Sequence, residues 1–163
     1  MRFRKELIPE SAKCYTGIKF KEKPSCITIH WIGPYPGQSP DDVRKWWIDG
    51  NGEASAHFIV KEDEVLQCVE TDTVAWHAGC PSGNYTSIGI EVCPCNADGE
   101  FSSETIATLK DLLDFKLPPL PLVRHYDWTG KACPKYYCNR PAWSELLRKL
   151  ERADGTVPVK MKT

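Results

Sequence analysis

The chain has 163 residues, 41% of them hydrophobic and 26% charged, with a formal net charge of −1. That is enough for one domain with a real core, and it is too apolar for a disordered or fibrous chain. The near-zero charge argues against nucleic acid as the main partner and against attraction to an anionic membrane surface.

The opening stretch MRFRKELIPESAK lacks the apolar core of a signal peptide, so synthesis in a reducing cytoplasm is expected. The eight cysteines (14, 26, 68, 80, 93, 95, 133 and 138) then read as mostly free packing residues rather than a disulfide framework. The close pair Cys93 and Cys95 is too weak a pattern to mark a metal site. No run is long and apolar enough to cross a membrane, so no membrane insertion is expected.

SCITIHW (25–31) predicts a strand buried on both faces. Gly33, Pro34, Pro36 and Gly37 mark a loop. Ser39 then caps a helix whose first turn holds Pro40, Asp41 and Asp42. Val43, Trp46 and Trp47 supply its apolar stripe, and Asn51-Gly52 ends it. SAHFIV (55–60) and EVLQCV (64–69) predict a hairpin turning at Lys61-Glu62-Asp63. HAGCPSGNYT (77–86) is turn-rich, and SIGIEVC (87–93) is another strand.

Ser102 or Ser103 caps a second helix, with Ile106, Leu109, Leu112 and Leu113 facing inward. LPPLP (117–121) is a rigid connector, and LVRH (122–125) a last short strand. A C-terminal helix follows over about 141–152, with Trp143, Leu146, Leu147 and Leu150 inward. Strands interleaved with helices predict an α/β fold, a central mixed β-sheet flanked by helices. Residues 1–153 form a single domain on this reading. The polar, proline-broken tail 154–163 reads as a linker toward a further module.

The stretch LVRHYDWTGKACP (122–134) gathers a histidine, an aspartate, a lysine and a cysteine in a loop directly after an apolar run. His30 lies near the end of one predicted strand and His125 ends another, at the kind of sheet edge where sites form. Two imidazoles and the Cys133 thiolate make a three-ligand zinc set that leaves one coordination position open, the mark of a catalytic rather than a structural zinc. Taken singly, each reads more simply as a core residue. Glu91 strengthens the joint reading, because a carboxylate inside an apolar strand is costly unless paired or used. Lys131 stands two residues before Cys133, where it would sit beside a metal.

ITIHWIG, ASAHFIV, AWHAG, SIGIEVC and RHYDWTGKACP occur in this order. The chain resembles in this the zinc-dependent N-acetylmuramoyl-L-alanine amidases of the type-2 amidase family. That family includes many phage endolysins and is similar to the peptidoglycan recognition proteins. The resemblance covers about residues 20–150. It implies a type-2 amidase-like single domain with one Zn2+ per chain, held by His30, His125 and Cys133. It further implies Glu91 as the catalytic acid and base, Lys131 as the stabiliser of the oxyanion, and His77 in the substrate groove. Some members carry a tyrosine where this chain has Ala56, so the route using that tyrosine is closed here and His57 reads as a structural histidine.

The implied substrate is bacterial peptidoglycan, cut between N-acetylmuramic acid and the L-alanine of the stem peptide. A phage or prophage endolysin, made in the cytoplasm and acting on the cell wall after release, fits this best. Trp31, Trp76, Asn84 and Tyr85 stand near motif loops as candidate substrate contacts, although core packing is the commoner fate of aromatics. Two rivals stay open: a non-catalytic peptidoglycan-binding module, and a cysteine-nucleophile peptidase pairing Cys133 with His125 or His77. Retention of both Cys133 and Glu91 speaks for the metal enzyme.

Overall fold

A computed structural model describes residues 1–50, 53–152 and 155. Its six strands are β1 (Arg2–Lys5), β2 (Cys26–Trp31), β3 (Phe58–Lys61), β4 (Glu64–Gln67), β5 (Ser87–Val92) and β6 (Leu122–Arg124). They form one sheet in the order β1-β4-β3-β5-β2-β6. Only the β3–β4 hairpin is antiparallel and the remaining pairs are parallel, so the sheet is mixed as expected.

Helices α1 (Pro40–Ile48), α3 (Ser103–Phe115) and α5 (Arg140–Lys149) flank it. Each begins on a side-chain cap that satisfies a free first-turn N–H, from Ser39, Ser102 and Asn139 respectively. At Ser39 the cap is reciprocal: its hydroxyl accepts from the Asp42 N–H while the Asp42 carboxylate accepts from the Ser39 N–H.

The sheet has two unlike faces. Ile27, Ile29, Phe58, Val60, Ile88, Ile90 and Val92 pack with Leu109, Leu112 and Leu113 of α3 and with Trp143, Leu146 and Leu147 of α5. Full burial of each such side chain contributes about 1.5–3 kcal/mol. Ile59 and Leu66 pack on the other face with Val43 and Trp47 of α1 and with the cysteines Cys14, Cys68 and Cys93. All eight cysteines are free and five are buried, so packing is their common role, while Cys95 is exposed.

The structure adds to the sequence reading in some places and departs from it in others. Arg2–Lys5 forms an edge strand that a hydrophobic pattern does not reveal, because three of its four residues are charged and its support comes from Arg2 and Arg4 binding the Glu64 carboxylate. The first helix ends at Ile48 because Gly50 takes a left-handed conformation (φ 77°); the predicted stop at Asn51-Gly52 lies outside the described residues. Trp46 does not join the stripe of Val43 and Trp47 and is 46% exposed. Two single-turn helices, α2 (Pro81–Asn84) and α4 (His125–Thr129), occupy segments expected to be turn or strand end. The predicted tail 154–163 lies outside the described residues apart from Gly155. Among the described residues no helix is long and apolar enough to cross a membrane.

Candidate metal centre

β2 and β5 run parallel with His30 opposite Glu91, Thr28 opposite Gly89 and Cys26 opposite Ser87. Side chains alternate along a strand, so these residues share one face while the intervening isoleucines enter the core. His125 arrives from the far edge. β6 pairs with β2 and the chain turns into α4 at His125 itself. Cys133 reaches the same point from the loop beyond.

Several hydrogen bonds hold these pieces in place. The Tyr126 N–H donates to the Cys133 carbonyl at 2.9 Å, tying the residue after one donor to the backbone of another. Arg124 is buried and forks onto Asp127 (2.7 and 3.1 Å), while its Nη1 donates to the Tyr137 and Cys138 carbonyls. Trp128 donates to Thr28 Oγ1, which lies 2.8 Å from the Ser87 hydroxyl, and that hydroxyl donates to the Gly83 carbonyl. Both small helices are thereby fastened to β2 and β5. Sequence reasoning passed over Arg124; the available signal was an arginine in a buried strand with an aspartate three positions on.

The donor atoms of His30, His125 and Cys133 all lie within 4.8 Å of one another, and all three residues are buried. His30 Nδ1 is 3.2 Å from His125 Nδ1 and 3.7 Å from Cys133 Sγ. Donors around a tetrahedral ion at ordinary zinc distances stand roughly 3.3–3.8 Å apart, close to the two separations from His30, and the set as a whole is compact enough to close on one ion. One Glu91 carboxyl oxygen, Oε2, is buried without a hydrogen-bond partner. An acid left so is costly unless the site uses it.

Electrostatics follow from burial. Burial pushes Glu91 up to about 8 against the opposing pull of Lys131. His30 is held well below the usual histidine range by burial and then by His77, His125 and Lys131. Burial lowers His125 to about 4, with Lys131 adding to it, and lowers His77 to about 3, with His57 adding. These rings are therefore neutral at pH 7, the form that can ligate a metal. The Cys133 thiol is pushed up, first by burial and then by Glu91, the opposite of what activates a nucleophilic cysteine.

All four histidines are buried, and His57 is also lowered by burial, to about 4. Groups depressed in the fold contribute stability that is present above the unfolded value near 6.5 and lost as pH falls toward 3–4. Glu91 acts oppositely: its contribution is full below the unfolded carboxyl value and lost as pH rises through about 8. Four groups outweigh one, so the metal-free protein should lose on the order of several kcal/mol between pH 7 and 5. Thermal melts at the two pH values test this; an equal or higher Tm at pH 5 would contradict it.

A cleft of about 430 Å³ opens over the centre, lined by His30, Glu91, His125, Lys131 and Cys133 and by Trp46 and Trp47 of α1. Trp31 and Trp76 line it, and so do Tyr35 and Trp46, which sequence reasoning did not select. Lys131 is exposed and, among the described residues, has no acid within 4.0 Å, so its ammonium is available to the cleft.

Tyr85, 42% exposed, stacks edge-on against Trp76. Asn84 was expected to touch substrate, but its side-chain oxygen accepts from the His77 and Ala78 N–H groups and closes the turn. His77, expected in the same role, lines the cleft but is largely buried, with both ring nitrogens engaged by His30 and by the Ser87 carbonyl. His57 is likewise satisfied, accepting from the Gly89 N–H and contacting the Thr73 carbonyl, as a structural histidine should be.

Fold and donor set define an α/β domain with three inward donors that could hold one metal ion at the floor of an open cleft. Residues 20–136 match the Amidase_2 family, N-acetylmuramoyl-L-alanine amidase, and the chain belongs to that family. It is 30% identical over 156 residues to the N-acetylmuramoyl-L-alanine amidase BlyA of Bacillus subtilis (strain 168), covering 81% of this chain and 42% of that protein. It is 30% identical over 159 residues to CwlH of the same organism, an N-acetylmuramoyl-L-alanine amidase, covering 93% of this chain and 62% of the relative. The catalytic domain of XlyA superimposes with a TM-score of 0.75 at 27% identity, covering 92% of this chain and 99% of that one. The chain thus spans about half the length of those two curated relatives.

Proposed function

We propose that the domain is a zinc-dependent peptidoglycan hydrolase. It cleaves the amide joining the lactyl group of N-acetylmuramic acid to the L-alanine of the stem peptide, in the setting of a phage or prophage endolysin. The observation that carries the reading is the convergence of His30, His125 and Cys133, with Glu91 opposite His30 in the neighbouring strand. Family membership and the named amidases among its relatives support the bond and the polymer.

His30, His125 and Cys133 would hold the zinc. Bound there, zinc supplies Lewis acidity and lowers the pKa of a water to about 7. Glu91 takes the proton from the attacking water and returns it to the leaving amine. Burial raises its affinity for a proton, which suits a carboxylate that must first accept one and then hand it to the amine. The Lys131 ammonium offsets negative charge developing on the scissile carbonyl oxygen. Trp31 and Trp76 provide apolar walls for sugar or peptide, and Tyr35 and Trp46 add to them.

Mass spectrometry of digested peptidoglycan tests the assignment. Free stem peptides with an L-alanine amino terminus and glycan with intact muramic acid are expected. Chelation should abolish their release and zinc should restore it. Products cut within the peptide, or activity indifferent to chelator yet lost to iodoacetamide, would point to a cysteine peptidase. Binding without products would point to a recognition module.

A further inference from the structure

His77 lies against the His30 ring at the back of the cleft, with both of its own ring nitrogens committed. Its Nδ1 lies 2.9 Å from His30 Nε2, and its Nε2 lies 3.2 Å from the Ser87 carbonyl oxygen. A carbonyl can only accept, so His77 Nε2 carries the proton and the neutral ring presents Nδ1 as an acceptor. His30 must then donate from Nε2, which leaves the lone pair of its Nδ1 aimed at His125 Nδ1 and Cys133 Sγ. One backbone carbonyl thus dictates, through two rings, which nitrogen of His30 is free.

We propose that His77 is a positioning residue. It locks His30 in the Nε2–H tautomer and in the one ring orientation that points Nδ1 at the ion, with Ser87 as the anchor. The assignment rests on the metal reading given above. Ligating histidines commonly depend on such an outer partner for tautomer and aim.

Packing supports it independently. A Cβ added at Gly89 would lie 2.5 Å from His77 Cγ and 2.7 Å from its Nδ1, so glycine is what lets the ring lie against β5. The Asn84 side chain fixes the His77 backbone from the opposite side. His125 differs: its Nε2 has no hydrogen-bond partner among the described residues, and its ring lines the cleft. His30 is locked and His125 is free to change tautomer, so only the latter must release its Nδ1 proton when an ion enters.

The test uses the full chain, wild type and two variants. Long-range 1H–15N NMR of the metal-free wild type should show His30 as the Nε2–H tautomer. His77→Phe, which keeps ring bulk but offers no acceptor, should give mixed tautomers at His30. Its zinc affinity, measured by competition with a chromogenic chelator, should fall roughly 10- to 100-fold. His77→Asn places its amide oxygen where Nδ1 was and should recover most of that loss.

A wild-type protein that binds zinc yet holds His30 as Nδ1–H overturns this assignment alone, whether or not the variants fold. So does a His77→Phe variant with wild-type affinity, or a His77→Asn variant as weak as the Phe form. A wild type that binds no zinc overturns the metal reading itself.

Discussion

Glu91→Gln is expected to lower turnover on peptidoglycan by roughly 10²–10⁴-fold, the range that a positioned acid–base group contributes, while the fold and zinc content stay intact. Gln matches Glu in size and hydrogen-bonding reach but cannot carry a proton back and forth. The wild-type carboxyl is buried on the site face of β5, with one oxygen unpartnered and its pKa pushed up to about 8. A neutral amide removes the cost of burying a charge there, so the melting temperature of the metal-free variant should equal or exceed that of the wild type. Turnover, zinc content and melting measured together separate a chemical role from a structural one. A variant that keeps wild-type turnover would remove Glu91 from the reaction, and one that loses zinc would recast it as a ligand or a support for one.

Cys133→Ser should have the largest effect on the metal. A thiolate is a far better zinc donor than a hydroxyl, and the two remaining imidazoles make an incomplete set. The loss of affinity should exceed the roughly 100-fold upper end for losing an outer partner. The wild type should melt at a higher temperature with zinc than without, by the usual linkage of ligand to the folded state. In the variant that increment should vanish, while its metal-free melt stays close to the wild type, because the side chain is small and the Cys133 carbonyl is held by the Tyr126 N–H. An unchanged zinc-induced rise in Tm would mean that the sulfur is not a ligand.

The elements that carry the site were readable because their local signals are strong. SCITIHW and SIGIEVC are too apolar and too β-branched to be anything but buried strands, and Ser39 and Ser102 announce their helices by their caps. Glu91 stood out as an acid in such a strand. The elements missed are those whose support is not local. β1 is a charged edge held by a carboxylate from β4. α4 is a single turn whose start depends on Asp127 accepting from the Arg124 N–H. Trp46 has the spacing of a core residue and the exposure of a cleft wall.

His77 marks the boundary most clearly. The motif AWHAG drew attention to it, and both ring nitrogens then proved to be committed, one to a histidine 47 positions away. Residue types and their local periods determined the central strands, the capped helices and the candidate donors, since capping, alternation and apolar burial act within a few residues, and the ordered motifs carried the family resemblance. Tertiary structure alone decided that β2 and β5 pair with His30 beside Glu91, that β6 delivers His125 to the same edge, and that Gly89 clears the space His77 fills. Strand register and ring-to-ring hydrogen bonds are contacts between distant segments, and their energies are settled only once the whole sheet has closed.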